Sequence, residues 1–106
     1  MLREGRSRRA GGLVVHVCDR DGGGHPRLGL VVPGGVGSAV ERNRVKRRVR
    51  AVWRELGPRL TSVDCVVVAR REAASMPFRE LSGGMARCLR ELRALAGDRE
   101  RAEAVR

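Results

Sequence analysis

From Leu13 onward the chain alternates between short β-branched runs and longer stretches whose apolar residues recur at helical spacing. Leu13-Val14-Val15-His16-Val17-Cys18 is an apolar run bounded by Gly12 and Asp19, and Arg27 to Val32 is a second one beyond a glycine-bearing turn. Two such runs joined by turn residues predict an antiparallel hairpin. Val63-Asp64-Cys65-Val66-Val67-Val68-Ala69 is nearly continuous in β-branched and small apolar residues, the pattern of a strand buried on both faces. Between these strands, Ser38 to Pro58 predicts one bounded helix. Ser38 and Glu41 have the spacing of a capping box, and Gly57-Pro58 predicts a left-handed stop followed by a breaker. Val45, Val49, Val52, Trp53 and Leu56 recur at i, i+4, i+7, i+8 and i+11, one apolar stripe for a core. A helix between two strands predicts a βαβ crossover.

A second stripe, Leu81, Met85, Cys88, Leu89, Leu92, Leu95 and Ala96, predicts a second core helix, with Ser75 as its cap and Pro77 in its first turn. Gly83 and Gly84 cost that helix about 1 kcal/mol each relative to Ala, so fraying is expected near its start. Residues 1–11 read as a basic arm or a frayed edge strand, residues 1–97 as one domain, and residues 98–106 as a charged tail.

Charge alters the reading of the first helix. Arg42, Arg44, Lys46, Arg47, Arg48, Arg50 and Arg54 surround its apolar stripe, and no acidic residue falls between Arg42 and Arg54. Like charges at i, i+4, such as Arg42 with Lys46 and Lys46 with Arg50, each cost a few tenths of a kcal/mol. A polyanion would offset that cost, because guanidinium groups donate bidentately to phosphate and each neutralised phosphate releases condensed counterions. The alternative is a solvated face, although solvated helices ordinarily mix charge signs. Over the whole chain of 106 residues the net charge is +11, and Lys46 is the single lysine among 23 basic residues. Such an arginine excess favours phosphate and base contacts over mere solubility.

The remaining inventory narrows the chemistry. No apolar run has the length to span a bilayer and no signal-peptide pattern opens the chain, so a cytoplasmic protein is expected. Cys18, Cys65 and Cys88 are odd in number, widely spaced and set in apolar sequence, as core thiols of a reducing compartment would be. His16 and Cys18 share a strand face but have no further ligand cluster near them. The glycine triplet 22–24 opens no Gly-Lys-Ser/Thr helix and is not a phosphate loop. There is no Ser/His/Asp set and no close carboxylate pair in apolar sequence, and His25 lies in a glycine turn.

The basic helix also carries a resemblance. Gly37-Ser38-Ala39-Val40-Glu41-Arg42-Asn43-Arg44-Val45-Lys46-Arg47-Arg48-Val49-Arg50 is similar to the signature of the bacterial ribonuclease P protein component: an Arg-Asn-Arg triplet, a Lys-Arg pair two residues on, and an Arg three further. Ser38 stands where the family usually has Asn, another good N-cap. Val32-Pro33-Gly34-Gly35-Val36-Gly37 lacks two cations that family members carry before the helix. The resemblance runs from about Gly5 to about Leu95, and the chain starts where the family's basic, Phe-bearing N-terminal helix would end.

The resemblance implies an α+β fold: a small two-layer sandwich with a mixed sheet and an unusual left-handed βαβ crossover, like domain 2 of ribosomal protein S5. It implies an accessory subunit of an endoribonuclease whose catalytic site lies in RNA, so the protein supplies no catalytic residues and Mg²⁺ is held mainly by RNA. The partners would be the catalytic RNA and the 5′ leader of precursor tRNA, with no membrane and no small-molecule substrate. Arg42, Arg44, Lys46, Arg47, Arg48, Arg50 and Arg54 would contact RNA, and Asn43 would add hydrogen bonds or local capping. Leader contacts would fall on the sheet face, at Leu13, Val15 and Arg70. Trp53 lies on the core stripe and reads as packing rather than a stacking platform, whereas Phe78 fits either role. Two other classes compete. A basic structural protein of the ribosome would share the cationic helix without requiring Arg42-Asn43-Arg44 ahead of Lys46-Arg47. A stand-alone hydrolase would need an acidic metal site, and Asp64 at its strand start is alone.

Overall fold

A computed structural model describes residues 5–20 and 23–95. The first four residues of the arm, Gly22, Ala96 and the 98–106 stretch lie outside the described residues. Within them the chain runs β1 (Arg6–Ala10), β2 (Leu13–Asp19), β3 (Arg27–Val31), α1 (Ala39–Leu56), β4 (Val63–Ala69) and α2 (Phe78–Glu91), with short 3₁₀ turns at Gly34–Val36, Gly57–Arg59 and Arg71–Ser75. The four strands form one mixed sheet in the order β1-β2-β4-β3. β2 is antiparallel to both β1 and β4, and β3 is parallel to β4.

This order corrects the expected hairpin. The runs now labelled β2 and β3 are not neighbours, because β4 lies between them. β4 is the strand richest in valine, and a central position pairs both of its edges. The observed hairpin is β1–β2, turned at Gly11-Gly12 with Ala10 opposite Leu13 and Gly11 at φ 56°. Of the two readings of the basic arm, the structure takes the edge strand. The crossover is as expected: α1 connects the adjacent parallel strands β3 and β4.

One face of the sheet builds the core. Leu13, Val15 and Val17 of β2 and Val63, Cys65, Val67 and Ala69 of β4 are buried with Val45, Val49, Val52 and Leu56 of α1 and Leu81, Met85, Cys88 and Leu89 of α2. β4 is therefore not enclosed on both faces, since Asp64, Val66 and Val68 on its other side are only half-buried. Cys65 and Cys88 are core thiols, and burial pushes Cys65 up to about 12, far from the reactive thiolate. Cys18 differs, lying half-exposed on the face away from the helices.

The helix ends show which local signals prevailed. At the start of α1 the Ser38 hydroxyl accepts from the Glu41 amide at 3.2 Å and Glu41 Oε1 accepts from the Ser38 amide at 2.9 Å, so the capping box forms. At its end Gly57 is right-handed, φ −45° and ψ −50°, and the chain tightens into a 3₁₀ turn containing Pro58 instead of stopping in the left-handed region. Lacking Cβ, glycine escapes much of the clash that keeps residues before proline out of the α region. Ser75 does not cap α2 either. Its hydroxyl donates to the Glu72 carbonyl, and Pro77 is the N-cap residue. α2 ends at Glu91 in a Schellman arrangement, Ala94 N–H to Leu89 O and Arg93 N–H to Arg90 O, with Arg93 at φ 59°. Leu92 and Leu95 are buried as predicted but sit in this turn and in a bridge to Leu60, not on the helix.

Gly83 and Gly84 lie inside a continuous α2, so the predicted fraying there gives way to a packing role. A Cβ at Gly84 would stand 2.9 Å from the Ala10 Cβ, whereas one at Gly83 would have nothing within 4 Å. Gly84 thus lets α2 approach β1. Gly12 serves a similar purpose, since its Cβ would fall 2.7 Å from the Ala73 Cα. Gly83→Ala should therefore stabilise the protein by about 0.5–1 kcal/mol, while Gly84→Ala should gain nothing or lose stability, as paired thermal melts will report.

Candidate nucleic-acid interface

α1 places its charges by its own geometry. At about 100° per residue, Val45, Val49, Val52 and Leu56 turn inward and are buried. Asn43, Lys46, Arg47, Arg50 and Arg54 then share one flank, and Arg44 and Arg48 fall on the opposite side. Two of the predicted RNA-contacting arginines hold the protein's own backbone. Arg42 Nη1 donates to the Gly37 carbonyl at 3.2 Å, fixing the bend before the helix. Arg48 Nη1 donates to the Met76 carbonyl at 3.0 Å, tying α1 to the entrance of α2.

Carboxylates are distributed unevenly around this helix. Among the described residues, ion pairs join Arg6 to Asp19, Arg8 to Glu91, Arg9 to Glu72, and both Arg20 and Arg27 to Asp64. None of them involves a cation of α1. Glu41, the one acid in the first turn of α1, is committed to the capping box. Hydrogen bonding from the Ser38 amide, then the Ser38 hydroxyl, holds its carboxyl below the ordinary value, with the Arg44 charge adding to this. Arg44, Lys46, Arg47, Arg50 and Arg54 are thus partly or fully exposed to solvent and outside every one of these ion pairs, and Asn43 beside them is exposed.

The sheet face expected to take a leader is arranged differently from the sequence reading. Leu13 and Val15 are both 0% exposed and point into the core, so neither can touch a ligand. The period of two in a strand sends their neighbours Val14 and His16 to the open face instead. Register places Val14, Val68 and Val31 in one row across that face, His16, Val66 and Gly29 in the next, and Cys18, Asp64 and Arg27 in the third. Arg70 is exposed just beyond β4, its amide donating to the Gly12 carbonyl at 2.7 Å. Trp53 packs half-buried against the core, in line with its reading, and Phe78 is 42% exposed at the first residue of α2. Neither ring lies on the open face.

A cluster that sequence reasoning missed closes one end of this face. Arg27 Nε and Nη2 donate to the two Asp64 oxygens at 2.8 and 3.1 Å, and Arg20 Nε lies 3.6 Å from Asp64 Oδ1. Hydrogen bonding from Arg27, aided by both positive charges and opposed by partial desolvation, keeps the Asp64 carboxyl below its ordinary value. Arg27 and Asp64 each open a strand, and that was the available signal. It needed the knowledge that β3 and β4 are parallel neighbours in register.

A four-stranded mixed sheet with an unneutralised cationic helix as its crossover defines a small basic α+β protein. Its relatives share that description. The sequence profile of the family Ribonuclease P matches residues 1–93. The ribonuclease P protein component of Shouchella clausii is 36% identical over 97 residues, spanning 91% of this chain and 80% of the relative. That of Streptococcus pyogenes is 38% identical over 81 residues, spanning 76% of this chain and 67% of the relative. The solved RNase P protein of Staphylococcus aureus matches with a TM-score of 0.79 at 27% identity, covering 87% of this chain and 84% of its own. The one from Thermotoga maritima matches at 0.68 and 28%, covering 79% and 80%. The chain belongs to the bacterial ribonuclease P protein family, whose members are the protein subunit of that ribonucleoprotein.

Replacing Arg44, Lys46 and Arg47 together with Ala should weaken RNA binding and flatten its log-log salt dependence, by roughly 0.7 for each phosphate left unneutralised on single strands and about 0.9 on duplex. Binding titrations at several salt concentrations measure this, and an unchanged slope would place the RNA surface elsewhere. Because the folded-state pKa of Asp64 is depressed, its stabilising contribution is fully present above the ordinary value of 3.8 and is lost as pH falls through the lower folded value. The melting-temperature gap between wild type and Asp64→Asn should hold steady above about pH 5 and close in more acid solution.

Proposed function

We propose that this protein grips the catalytic RNA of ribonuclease P through α1 and lays the 5′ leader of precursor tRNA on the open sheet face. In this role it assists endonucleolytic release of the leader to give the mature tRNA 5′ end. The observation that carries this reading is the absence, among the described residues, of any salt bridge to the α1 cations. Asn43, Lys46, Arg47, Arg50 and Arg54 form the principal RNA flank, with Arg44 beside it. Arg42 and Arg48 contribute mainly by holding the helix at both ends.

The chemistry belongs to the RNA in this reading. Among the described residues no three metal-ligating side chains gather, and the Asp64 carboxylate is engaged by two guanidinium groups. The residues present do not fit a protein-held Mg²⁺, which accords with Mg²⁺ held by RNA. Among the described residues no helix is long and apolar enough to cross a membrane, and we place the protein in the cytoplasm with its RNA partners.

The test is precursor-tRNA cleavage at low Mg²⁺ by the catalytic RNA of the same genome, with and without this chain, and by the chain alone. Stimulation only when both are present is expected. Cleavage by the chain alone, or a chain that neither binds that RNA nor stimulates it, would overturn the reading.

A further inference from the structure

We propose that Arg20, Asp64 and Arg27 form a phosphate grip on the open sheet face that holds the backbone of the single-stranded leader, at a point separate from α1. The inference rests on the function proposed above. Its first support is charge: two guanidinium groups converge on one carboxylate, so the cluster keeps one net positive charge. Arg27 spends Nε and Nη2 on Asp64, which leaves Nη1 as a free donor on a side chain that is 67% exposed.

The second support is rigidity. The Arg20 amide donates to the Ser62 carbonyl at 3.0 Å, its Nη1 donates to the His25 carbonyl, and the Ser62 hydroxyl donates to the Gly24 carbonyl at 2.6 Å. Gly23 and Gly24, at φ 75° and 102°, let the loop close over these bonds. Donors already held in place lose little conformational freedom when a phosphate arrives.

The third support is position. Arg27 and Asp64 alternate with Leu28 and Cys65, which pack toward the helices, so the cluster lies on the side of the sheet opposite α1. Beside it run Val66 and Val68, half-buried, and Val31, 47% exposed, against which bases can rest. Single-strand binders usually supply aromatic stacking as well as a cationic track. Trp53 and Phe78 are both elsewhere, and His16 is the one ring on this face among the described residues. Phosphate contacts must then carry more of the grip. The ion pair between exposed strands is worth little as a staple in itself.

The experiment uses the holoenzyme reconstituted from the full chain and its catalytic RNA. It measures dissociation constants for precursor tRNA and for leaderless mature tRNA across a salt series. Arg27→Gln should weaken precursor binding about tenfold and lower its log-log salt slope by roughly 0.7, with mature tRNA and catalytic RNA bound as before. If Arg27→Gln melts below the assay temperature, Arg20→Gln makes the same measurement with the β3–β4 pair intact. Unchanged precursor affinity, or equal losses for precursor and mature tRNA, would overturn the grip. A wild-type chain that fails to stimulate cleavage would instead indict the function on which the inference rests.

Discussion

The apolar stripe of α1 must hold in place a helix that its own charges oppose. Val45, Val49, Val52 and Leu56 are buried in the common core. At about 1.5–3 kcal/mol per buried side chain they contribute roughly 6–12 kcal/mol, an upper estimate given residual burial in the unfolded chain. The like-charge pairs at i, i+3 and i, i+4 along Arg42 to Arg54 cost a few tenths of a kcal/mol each, a total of about 1–3 kcal/mol. Burial wins comfortably. A helix anchored in this way can carry an unneutralised cationic flank, whereas an isolated peptide of the same sequence would lack the anchor.

Acidic residues are consequently free to serve elsewhere. Asp19, Asp64, Glu72 and Glu91 meet arginines of the strands and of the loop after β2, at the sheet's margins and on its open face. Glu41 faces the backbone at the head of α1, where it completes the cap and favours the helix dipole. The protein thereby has two surfaces of different character. One is a cationic helix flank without compensation, and the other is a half-apolar sheet face with paired charges at its borders.

Close approach sets the geometry between the layers. α2 lies near β1 because Gly84 leaves room for Ala10, and the β1–β2 turn fits against the Arg71–Ser75 turn because Gly12 has no side chain. Arg48 reaching the Met76 carbonyl joins the two helices through that same segment. These contacts explain why glycines that are poor helix or strand formers occupy regular structure here. Local propensity yields to packing at each of them.

Local signals in the sequence determined the elements themselves: the strand runs, the capping box of Ser38 and Glu41, the apolar stripes of both helices, and the lopsided charge of α1. Each depends on residues within a few positions of one another, so periodicity and capping chemistry express it directly. The motif around Arg42-Asn43-Arg44 likewise pointed to the family from one contiguous stretch. Tertiary structure alone decided that β4 enters between β2 and β3, because strand order reflects competition for the most apolar central position among segments far apart in sequence. That insertion sent Leu13 and Val15 inward and Val14 and His16 outward, and it brought Arg27 beside Asp64. Whether Ser75 or Pro77 begins α2, and whether Gly57 turns left-handed, also waited on the fold, since several local solutions were close in energy and the packing of the neighbouring layer selected among them.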